Sequence, residues 1–412
     1  MDKYWIILEP YTFVWSDFDR VLLYNSLSKK AFIAMNDEIL KPVVLALQKP
    51  HNLYSVLIDK DLLNNRIVRD FLSILRNSYC GDIVSVNICK DKLVIVYPLL
   101  NINENVDREI ESIKKQEKLG RKIMNNLVPV DVYLGGFCSY KCDYCDEKYK
   151  QICWCKSDQE ILTYDNLCML MSELSTLNSI SINLLGNIFD YPYVEEMLCK
   201  LSGFQLIKKV ILDCKYIIDH VDQIFCLLDL GFNIGVLVGN VEHLEQLDKL
   251  PFLYNKSVEY IFSVRNEKEF SYIANYVSKC VLENASIYPY FDGFNQEFFK
   301  TNVWQSETDI LTEELSKREI FLRQTINSNF FGKLIVLPNG DILPNINAKP
   351  IGRISDGIKN VIYKEIAEGS YWLKTRDKIE PCKNCLYRVL CSPISNYEIA
   401  LGKMNLCDVI LK

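Results

Sequence analysis

Residues 131–145 read Asp-Val-Tyr-Leu-Gly-Gly-Phe-Cys-Ser-Tyr-Lys-Cys-Asp-Tyr-Cys. The first four residues have the character of a short strand, and two glycines end it. The loop that follows carries three cysteines, Cys138, Cys142 and Cys145. Apolar residues recur at helical spacing from Tyr164 onward, so a helix follows the loop. Because α/β proteins usually place functional groups on loops between a strand and a helix, this stretch predicts an α/β fold with its site there.

The spacing of the three cysteines, C-x3-C-x2-C, predicts a metal centre. Three thiolates on a short loop can bind three irons of an iron–sulfur cube and leave the fourth iron open to a substrate or cofactor. Zinc is an alternative, and it would need a fourth ligand, which Cys153 or Cys155 could supply. The remaining alternative is that these cysteines are simply buried.

The loop resembles the cluster motif of the radical S-adenosylmethionine (radical SAM) superfamily, in the three cysteines and in the aromatic Tyr144 before the third. The resemblance implies a [4Fe-4S] cluster held by Cys138, Cys142 and Cys145, with Tyr144 close to bound SAM. In that superfamily the open iron chelates the methionine part of SAM. Reductive cleavage of SAM then yields a 5′-deoxyadenosyl radical.

The end of the second predicted strand departs from this family. Radical SAM proteins usually have Gly-Gly-Glu-Pro there, and its polar edge holds the SAM amino group. This chain has Leu185-Gly186-Asn187-Ile188 instead. The resemblance places Gly186 and Asn187 at the cofactor, where asparagine can accept a hydrogen bond from an ammonium group but without charge assistance. An ordinary turn after a strand is the other interpretation.

A second cysteine group lies near the C-terminus, with Cys382, Cys385 and Cys391 in a C-x2-C-x5-C array and Cys407 beyond it. By ligand count, four thiolates suit a zinc ion and a four-iron cluster equally well. The array resembles the SPASM extension of peptide-modifying radical SAM enzymes. These four residues match the ligands of the distal auxiliary cluster in that extension.

The SPASM resemblance is incomplete. Family members usually carry a further cysteine four residues after the third of the array, but this chain has Ser395 there. The upstream cysteine pair is also missing, because residues 336–345 keep the strand and glycine turn but end without cysteine. The resemblance therefore implies one auxiliary [4Fe-4S] cluster and not two.

The segment at 393–407 resembles the tail of radical SAM and pseudo-radical-SAM proteins from Bacteroidales peptide-maturation systems. This implies a radical SAM maturase that cross-links or otherwise modifies a ribosomally synthesised precursor peptide (a RiPP), which it binds through the leader. The alternative is a catalytically degenerate peptide-binding partner of a second maturase. The intact first cysteine motif favours the enzyme, and the missing acid at Asn187 favours the partner.

Strand and helix patterns alternate from residue 130 to about 290. The pattern predicts an α/β fold, and with the resemblance it predicts a partial (β/α)6 TIM-like barrel that is open on one side. The six predicted strands are residues 130–134, 179–185, 209–212, 233–238, 259–264 and 285–290.

We predict four regions along the chain. Residues 1–100 form a winged-helix-like α+β unit that resembles a leader-peptide recognition element, with a structural cap as the alternative. Residues 101–128 form a polar linker helix, residues 129–330 the partial barrel, and residues 331–412 the SPASM-like extension. In the first region the predicted strands are 4–8, 21–24, 30–34 and 93–97, and the predicted helices are 37–47 and 61–76.

Composition limits the partners and the compartment. The chain has 412 residues, a formal net charge of −6 and 16 cysteines. An acidic balance argues against nucleic acid as a partner. No apolar run approaches the length of a membrane span, so we expect no membrane. The many cysteines, together with an N-terminus that lacks a signal-peptide pattern, predict a cytoplasmic protein without disulfides.

Overall fold

The computed structural model describes residues 2–92, 129–136, 138, 140, 145–156, 158–175, 181–204, 206–250, 255–368 and 371–409, apart from the side chains of residues 50 and 246. Two of the predicted site residues, Cys142 and Tyr144, lie outside the described residues. The predicted strand at 93–97 and the predicted linker helix at 101–128 also lie outside them. The predictions for these residues therefore stay predictions.

The N-terminal region contains both strands and helices. Its elements are β1 (Lys3–Leu8), β2 (Thr12–Ser16), β3 (Arg20–Asn25), β4 (Lys30–Met35), α1 (Leu40–Gln48), β5 (Ser55–Asp59), α2 (Arg66–Asn77) and β6 (Gly81–Ser85). Within the described residues they form two antiparallel sheets, with the orders β5-β1-β6 and β2-β3-β4. Both sheets and both helices contribute side chains to one apolar core. The winged-helix-like arrangement itself stays a prediction.

Several details of this region differ from the sequence-based expectation. The strands β2, β5 and β6 were not predicted. They are short, and β6 pairs with β1 across most of the region, Tyr4 opposite Ser85, so no local pattern indicates it. The second helix begins at Arg66 because the side chain of Asn65 accepts a hydrogen bond from the backbone N–H of Val68.

A mixed sheet forms the centre of the molecule. Its strands are β7 (Val130–Tyr133), β8 (Ser181–Leu185), β9 (Ile207–Asp213), β10 (Asn233–Val238), β11 (Val258–Val264), β12 (Ala285–Pro289), β13 (Leu334–Val336), β14 (Asp341–Leu343) and β15 (Gly352–Arg353). In the described part of the chain the order is β12-β11-β10-β9-β8-β7-β13-β14-β15, and β7 to β12 run parallel. β13 is parallel to β7, whereas β14 and β15 are antiparallel additions. All six strands predicted between 130 and 290 are present, and the closure of the sheet into a partial barrel stays a prediction.

Helices connect these strands and follow them. They are α3 (Cys145–Gln151), α4 (Tyr164–Leu174), α5 (Val194–Ser202), α6 (Cys214–Asp219), α7 (Val221–Asp229), α8 (Leu244–Leu247), α9 (Glu267–Cys280), α10 (Gln296–Val303), α11 (Glu307–Thr312), α12 (Lys317–Thr325), α13 (Ile358–Glu368) and α14 (Asn396–Leu401). Because successive strand residues point to opposite faces, the sheet has two apolar cores. The larger core lies between the sheet and its helices. None of the helices in the described residues has the length and apolar character that crossing a bilayer requires.

A further core joins the N-terminal region to the C-terminal cysteines. Phe13 and Trp15 of β2 pack in one cluster with Leu386 and Tyr387, which lie between two predicted cluster ligands. The hydroxyl of Tyr24 on β3 donates a hydrogen bond to the carbonyl oxygen of Leu315 at 2.8 Å. The first and last regions of the chain are therefore packed against each other.

Candidate functional site

The inner face of the central sheet changes character near the carboxyl ends of its strands. One layer is apolar and consists of Tyr133, Leu185, Ile211, Leu237 and Ile261. Two residues further along each chain segment, at the end of the strand or just past it, stands a small or polar residue. These residues are Gly135, Asn187, Asp213, Gly239 and Ser263, and we call them the polar arc. A polar arc above an apolar floor, at the carboxyl edge of parallel strands, can hold a ligand.

Two glycines with positive φ angles stand where β7 and β8 end. Gly135 has φ +77° and Gly186 has φ +117°, a region in which residues with a Cβ are strained. A Cβ on Gly186 would lie 4.0 Å from the backbone N and O of Gly135, and a Cβ on Gly135 would lie 2.1 Å from the carbonyl oxygen of Glu160. The structure therefore brings the predicted residue Gly186 beside the glycine pair that precedes the cysteine loop.

Asn187 presents a polar atom without a protein partner. Its Nδ2 is buried and has no hydrogen-bond partner among the described residues. An unpaired buried donor costs about 1–3 kcal/mol, so a ligand that brings an acceptor here gains that amount. As placed, Nδ2 would suit a hydrogen-bond acceptor of a ligand. A 180° rotation of the amide would instead turn Oδ1 towards an ammonium group, as the sequence-based prediction supposes.

The cysteine loop starts where β7 ends and leads into α3. Cys138 and Cys145 are both half-buried, and Cys145 is the first residue of α3. Between them, the hydroxyl of Tyr140 donates a hydrogen bond to Asp219 Oδ2 at 2.8 Å. The Tyr140 ring packs edge-on against Tyr216 at 5.6 Å. Burial raises the pKa of Tyr140 to about 12. The loop is thereby tied to α6, which follows β9.

Cys155, and not Cys153, lies at the predicted cluster ligand Cys145. Their Sγ atoms are 3.4 Å apart, and Cys145 Sγ also donates to the carbonyl oxygen of Cys155 at 3.3 Å. The hydrogen bond with Cys155 lowers the pKa of Cys145, while burial and the charge of Asp213 oppose that shift. Burial and the charge of Asp131 raise the pKa of Cys153, and the charge of Lys209 opposes them. Asp131 and Lys209 lie near the amino ends of their strands. Of the two cysteines that could have supplied a fourth ligand, only Cys155 therefore lies beside Cys145.

The structure also adds site residues that the sequence did not single out. Lys148 and Trp154 are 3% and 1% exposed, and Lys148 Nζ lies 4.8 Å from the centre of the indole. A Cβ on Gly239 would lie 2.9 Å from Lys148 Nζ and 3.2 Å from Trp154 Cζ2. The hydroxyl of Tyr133 donates to the carbonyl oxygen of Trp154 at 3.1 Å. Lys148 and Trp154 therefore fill the space over the missing side chain of Gly239.

A sequence signal for this arc does exist. An apolar residue followed two positions later by a small or polar one occurs at the end of five successive strands, as the pairs Leu185 and Asn187 or Leu237 and Gly239 illustrate. Lys148 and Trp154 carry no comparable signal, because they pack over Gly239, which is 91 and 85 residues further along the chain.

Three of the four cysteines of the second group, Cys385, Cys391 and Cys407, belong to one packed cluster. Cys382 and Cys391 are buried, and Cys385 and Cys407 are half-buried. Burial raises the pKa of Cys391 to about 12. Gln305 Oε1 accepts a hydrogen bond from Cys391 Sγ at 3.2 Å, and the backbones of Gln305 and Cys407 form an isolated parallel β-bridge. In the described parts of the chain, no three His, Cys, Asp or Glu side chains are grouped closely enough to hold one metal ion.

Ser395, which stands where the family has a further cysteine, caps α14. Its Oγ accepts a hydrogen bond from the backbone N–H of Glu398, and the Glu398 carboxylate accepts one from the backbone N–H of Ser395 at 2.8 Å. This reciprocal capping box satisfies two backbone donors at the helix start. At the position of the missing upstream pair, Asn345 donates to Asn396 Oδ1 at 2.6 Å. At both positions where the family has cysteines, this chain therefore has a residue whose hydrogen bond holds α14.

Known proteins show only weak similarity to this chain. No protein-family model matches the chain, and no curated protein matches it. Among solved structures, native anSMEcpe with bound AdoMet has a TM-score of 0.42 and 12% identity, over 67% of this chain and 95% of that chain. BtrN in complex with AdoMet and 2-DOIA has a TM-score of 0.32 and 14% identity, over 62% of this chain and 91% of that chain. Both TM-scores are low, so functional conclusions rest on this chain's own residues.

Proposed function

We propose that the protein is a radical SAM enzyme, and more narrowly a SPASM-type maturase of a ribosomally synthesised precursor peptide. The observation that carries this proposal is the position of the cysteine loop. It leaves the carboxyl end of β7 directly beside the Gly186 and Asn187 turn of β8. A cluster on this loop would stand next to the polar arc, where the open iron and a bound amino acid group can meet.

The residues present fit this cofactor set. Cys138, Cys142 and Cys145 would hold the first [4Fe-4S] cluster, and Tyr144, Gly186 and Asn187 would lie at SAM. The buried Nδ2 of Asn187 has no partner in the described residues, and after a 180° rotation of the amide Oδ1 would accept a hydrogen bond from the SAM ammonium group. When bound there, the cluster and SAM would supply radical chemistry for hydrogen abstraction from the peptide.

The chain's own residues position and isolate this chemistry. Gly186 lets a ligand approach the backbone closely, because a Cβ there would meet no atom nearer than 4.0 Å, whereas Glu160 and Pro338 fill the space over Gly135. The apolar layer beneath the polar arc keeps water from entering through the sheet. Tyr140, held by Asp219, joins the chain at position 140 to α6.

The second cysteine group would hold one auxiliary [4Fe-4S] cluster, through Cys382, Cys385, Cys391 and Cys407. Cys385, Cys391 and Cys407 belong to one packed cluster, and the Cys382 carbonyl oxygen accepts a hydrogen bond from the Cys385 N–H at 2.9 Å, which supports a common site. Such a cluster would transfer electrons or orient the peptide. The N-terminal region would bind the leader as an added strand, since β2 and β4 have only β3 as a strand partner in the described residues.

A second candidate function is a peptide-binding partner of another maturase. Two observations favour it. Asn187 stands where an acid would hold the SAM amino group, and Lys148 and Trp154 fill the space over Gly239 in the polar arc. A protein of this kind would keep clusters and peptide binding without cleaving SAM.

Metal analysis and SAM cleavage separate these functions. Anaerobically reconstituted protein should hold about eight irons, as two cubane clusters. Replacing Cys138, Cys142 and Cys145 by alanine should remove half of them, whereas Cys153→Ala, a matched control, should remove none. Reduced protein should then cleave SAM to 5′-deoxyadenosine, and Cys142→Ala should abolish this. Tightly bound zinc with only background iron refutes the proposal. A fully loaded protein that binds no SAM by calorimetry supports the partner.

Peptide binding is tested on the full-length protein with precursor peptides. Peptide that carries its leader should bind, and leaderless peptide should bind far more weakly. Proline within the bound leader segment should weaken binding, because an added strand draws affinity from backbone hydrogen bonds that proline cannot donate. Equal affinity for all three peptides would leave the N-terminal region as a cap.

A further inference from the structure

A buried ion pair lies beside the second cysteine group. Arg376 Nη1 donates to Glu398 Oε1 at 2.9 Å, and Nη2 donates to Oε2 at 3.2 Å. The two side chains are only 8% and 3% exposed. Apolar replacements of a buried ion pair are often neutral or stabilising. Stability alone therefore does not explain why this pair is buried here.

The contacts of Arg376 point towards the thiols. Arg376 Nη1 lies 3.5 Å from Cys382 Sγ, to which it donates, and it also donates to the carbonyl oxygen of Met404 at 3.1 Å. The charge of Arg376 also acts on Cys391. In the metal-free thiol form, Cys382 Sγ donates to Met404 O at 3.3 Å. A metal-bound thiolate has no proton to donate, so Arg376 becomes its hydrogen-bond donor.

Glu398 is the matching anion, and α14 fixes its position. The carboxylate takes part in the capping box with Ser395 and so cannot swing away from Arg376. The cation and the anion are both withdrawn from water, where their charges are screened much less than at the surface. Each of them therefore acts strongly on any charge that changes at the four cysteines.

We propose that Arg376, with Glu398 as its counter-charge, sets the reduction potential of the auxiliary cluster. This inference rests on the proposed function, in which Cys382, Cys385, Cys391 and Cys407 hold that cluster. Reduction adds one negative charge to a cluster. A buried cation that donates to a ligand sulfur stabilises the reduced form and raises the potential, whereas a buried carboxylate lowers it. Arg376 is thus a positioning and tuning residue and not a ligand.

Two substitutions should shift the potential in opposite directions. The background is the full-length protein with Cys138, Cys142 and Cys145 replaced by alanine, so that only the auxiliary cluster is observed. Arg376→Gln removes the cation and should lower the midpoint in a potentiometric titration followed by electron paramagnetic resonance. Glu398→Gln keeps a side chain that suits the capping box, leaves Arg376 uncompensated and should raise the midpoint. Each shift should reach tenfold in the one-electron equilibrium, about 59 mV.

Lys383→Gln is the matched control. Lys383 lies between Cys382 and Cys385 in sequence, so its loss removes the same charge close to the ligands. Its side chain is 46% exposed and pairs with Glu380, so solvent screens it and the midpoint should stay nearly constant. Shifts of the same sign in both buried variants, or shifts no larger than that of Lys383→Gln, overturn the inference.

The outcomes also separate the inference from the proposed function. If the background protein holds zinc or no metal, the auxiliary cluster is refuted and the inference falls with it. If it holds the cluster but the two variants do not shift it oppositely, only the inference falls. If Arg376→Gln does not take up iron, Glu398→Gln decides alone, because a raised midpoint supports the tuning role and an unchanged or lowered one overturns it.

Discussion

The Sγ atoms of Cys145 and Cys155 lie 3.4 Å apart, although ten residues separate them in the chain. Tyr133 donates a hydrogen bond to the backbone carbonyl oxygen of the buried Trp154, which restrains the position of the next residue, Cys155. One of the three predicted ligands of the first cluster therefore has a second thiol in contact with it whenever the cluster is absent.

Metal-free protein should form a disulfide between these two cysteines. Under oxidised glutathione, thiol–disulfide exchange should join Cys145 to Cys155, since both thiols are already in contact. Peptide mapping by mass spectrometry should detect the link, and it should be missing from cluster-loaded protein. Cys155→Ala should abolish the link, whereas Cys153→Ala should retain it. Loss of the link in Cys153→Ala would show that the pairing is wrong.

Asn187→Glu should tighten SAM binding. A hydrogen bond to a charged group contributes about 1 kcal/mol more than a neutral one, which corresponds to roughly a fivefold to tenfold change in affinity. Isothermal calorimetry on anaerobic, cluster-loaded protein measures the change. Asn233→Glu, at the amino end of β10, provides the same substitution at the opposite edge of the sheet and should have no effect. Weaker binding by Asn187→Glu would place the SAM ammonium elsewhere.

Tyr140→Phe should loosen the cysteine loop. The substitution keeps the ring against Tyr216 but removes the hydrogen bond to Asp219, which contributes about 1 kcal/mol. We expect the first cluster to be lost several times faster in the presence of an iron chelator, with the auxiliary cluster unaffected. Tyr272→Phe, on an exposed position of α9, is the control. Equal loss rates in both variants would show that Tyr140 does not support the loop.

Tyr24→Phe should weaken the junction between the N-terminal region and the rest of the chain. Its hydroxyl donates to the carbonyl oxygen of Leu315 and accepts from the Leu315 N–H at 2.6 Å. Phenylalanine would leave two buried backbone groups unpaired, at a cost of about 2 kcal/mol in the free energy of unfolding. Urea denaturation measures it. Tyr11→Phe loses a hydrogen bond of the same type at an exposed position and should cost much less.

The α/β character could be read from local patterns. Each strand from β7 to β12 is an apolar run bounded by turn residues, and such runs are visible in sequence because alternation and chain reversal are local properties. The cysteine spacings and the Gly186 turn are local as well. By contrast, β13 was not predicted to join β7, because Val130 and Leu334 are about 200 residues apart and nothing near either of them indicates the pairing.

By itself, the sequence determined the order of strands and helices in the centre of the chain, the two cysteine groups and the departures at Asn187 and Ser395. Only the tertiary structure decided that Cys155 rather than Cys153 meets Cys145, that Lys148 and Trp154 fill the space over Gly239, and that Arg376 and Glu398 are buried beside the second cysteine group. The physical reason is the same in each case. Burial and charge pairing depend on which distant segments pack together, and a residue's own neighbours in sequence carry no record of that packing.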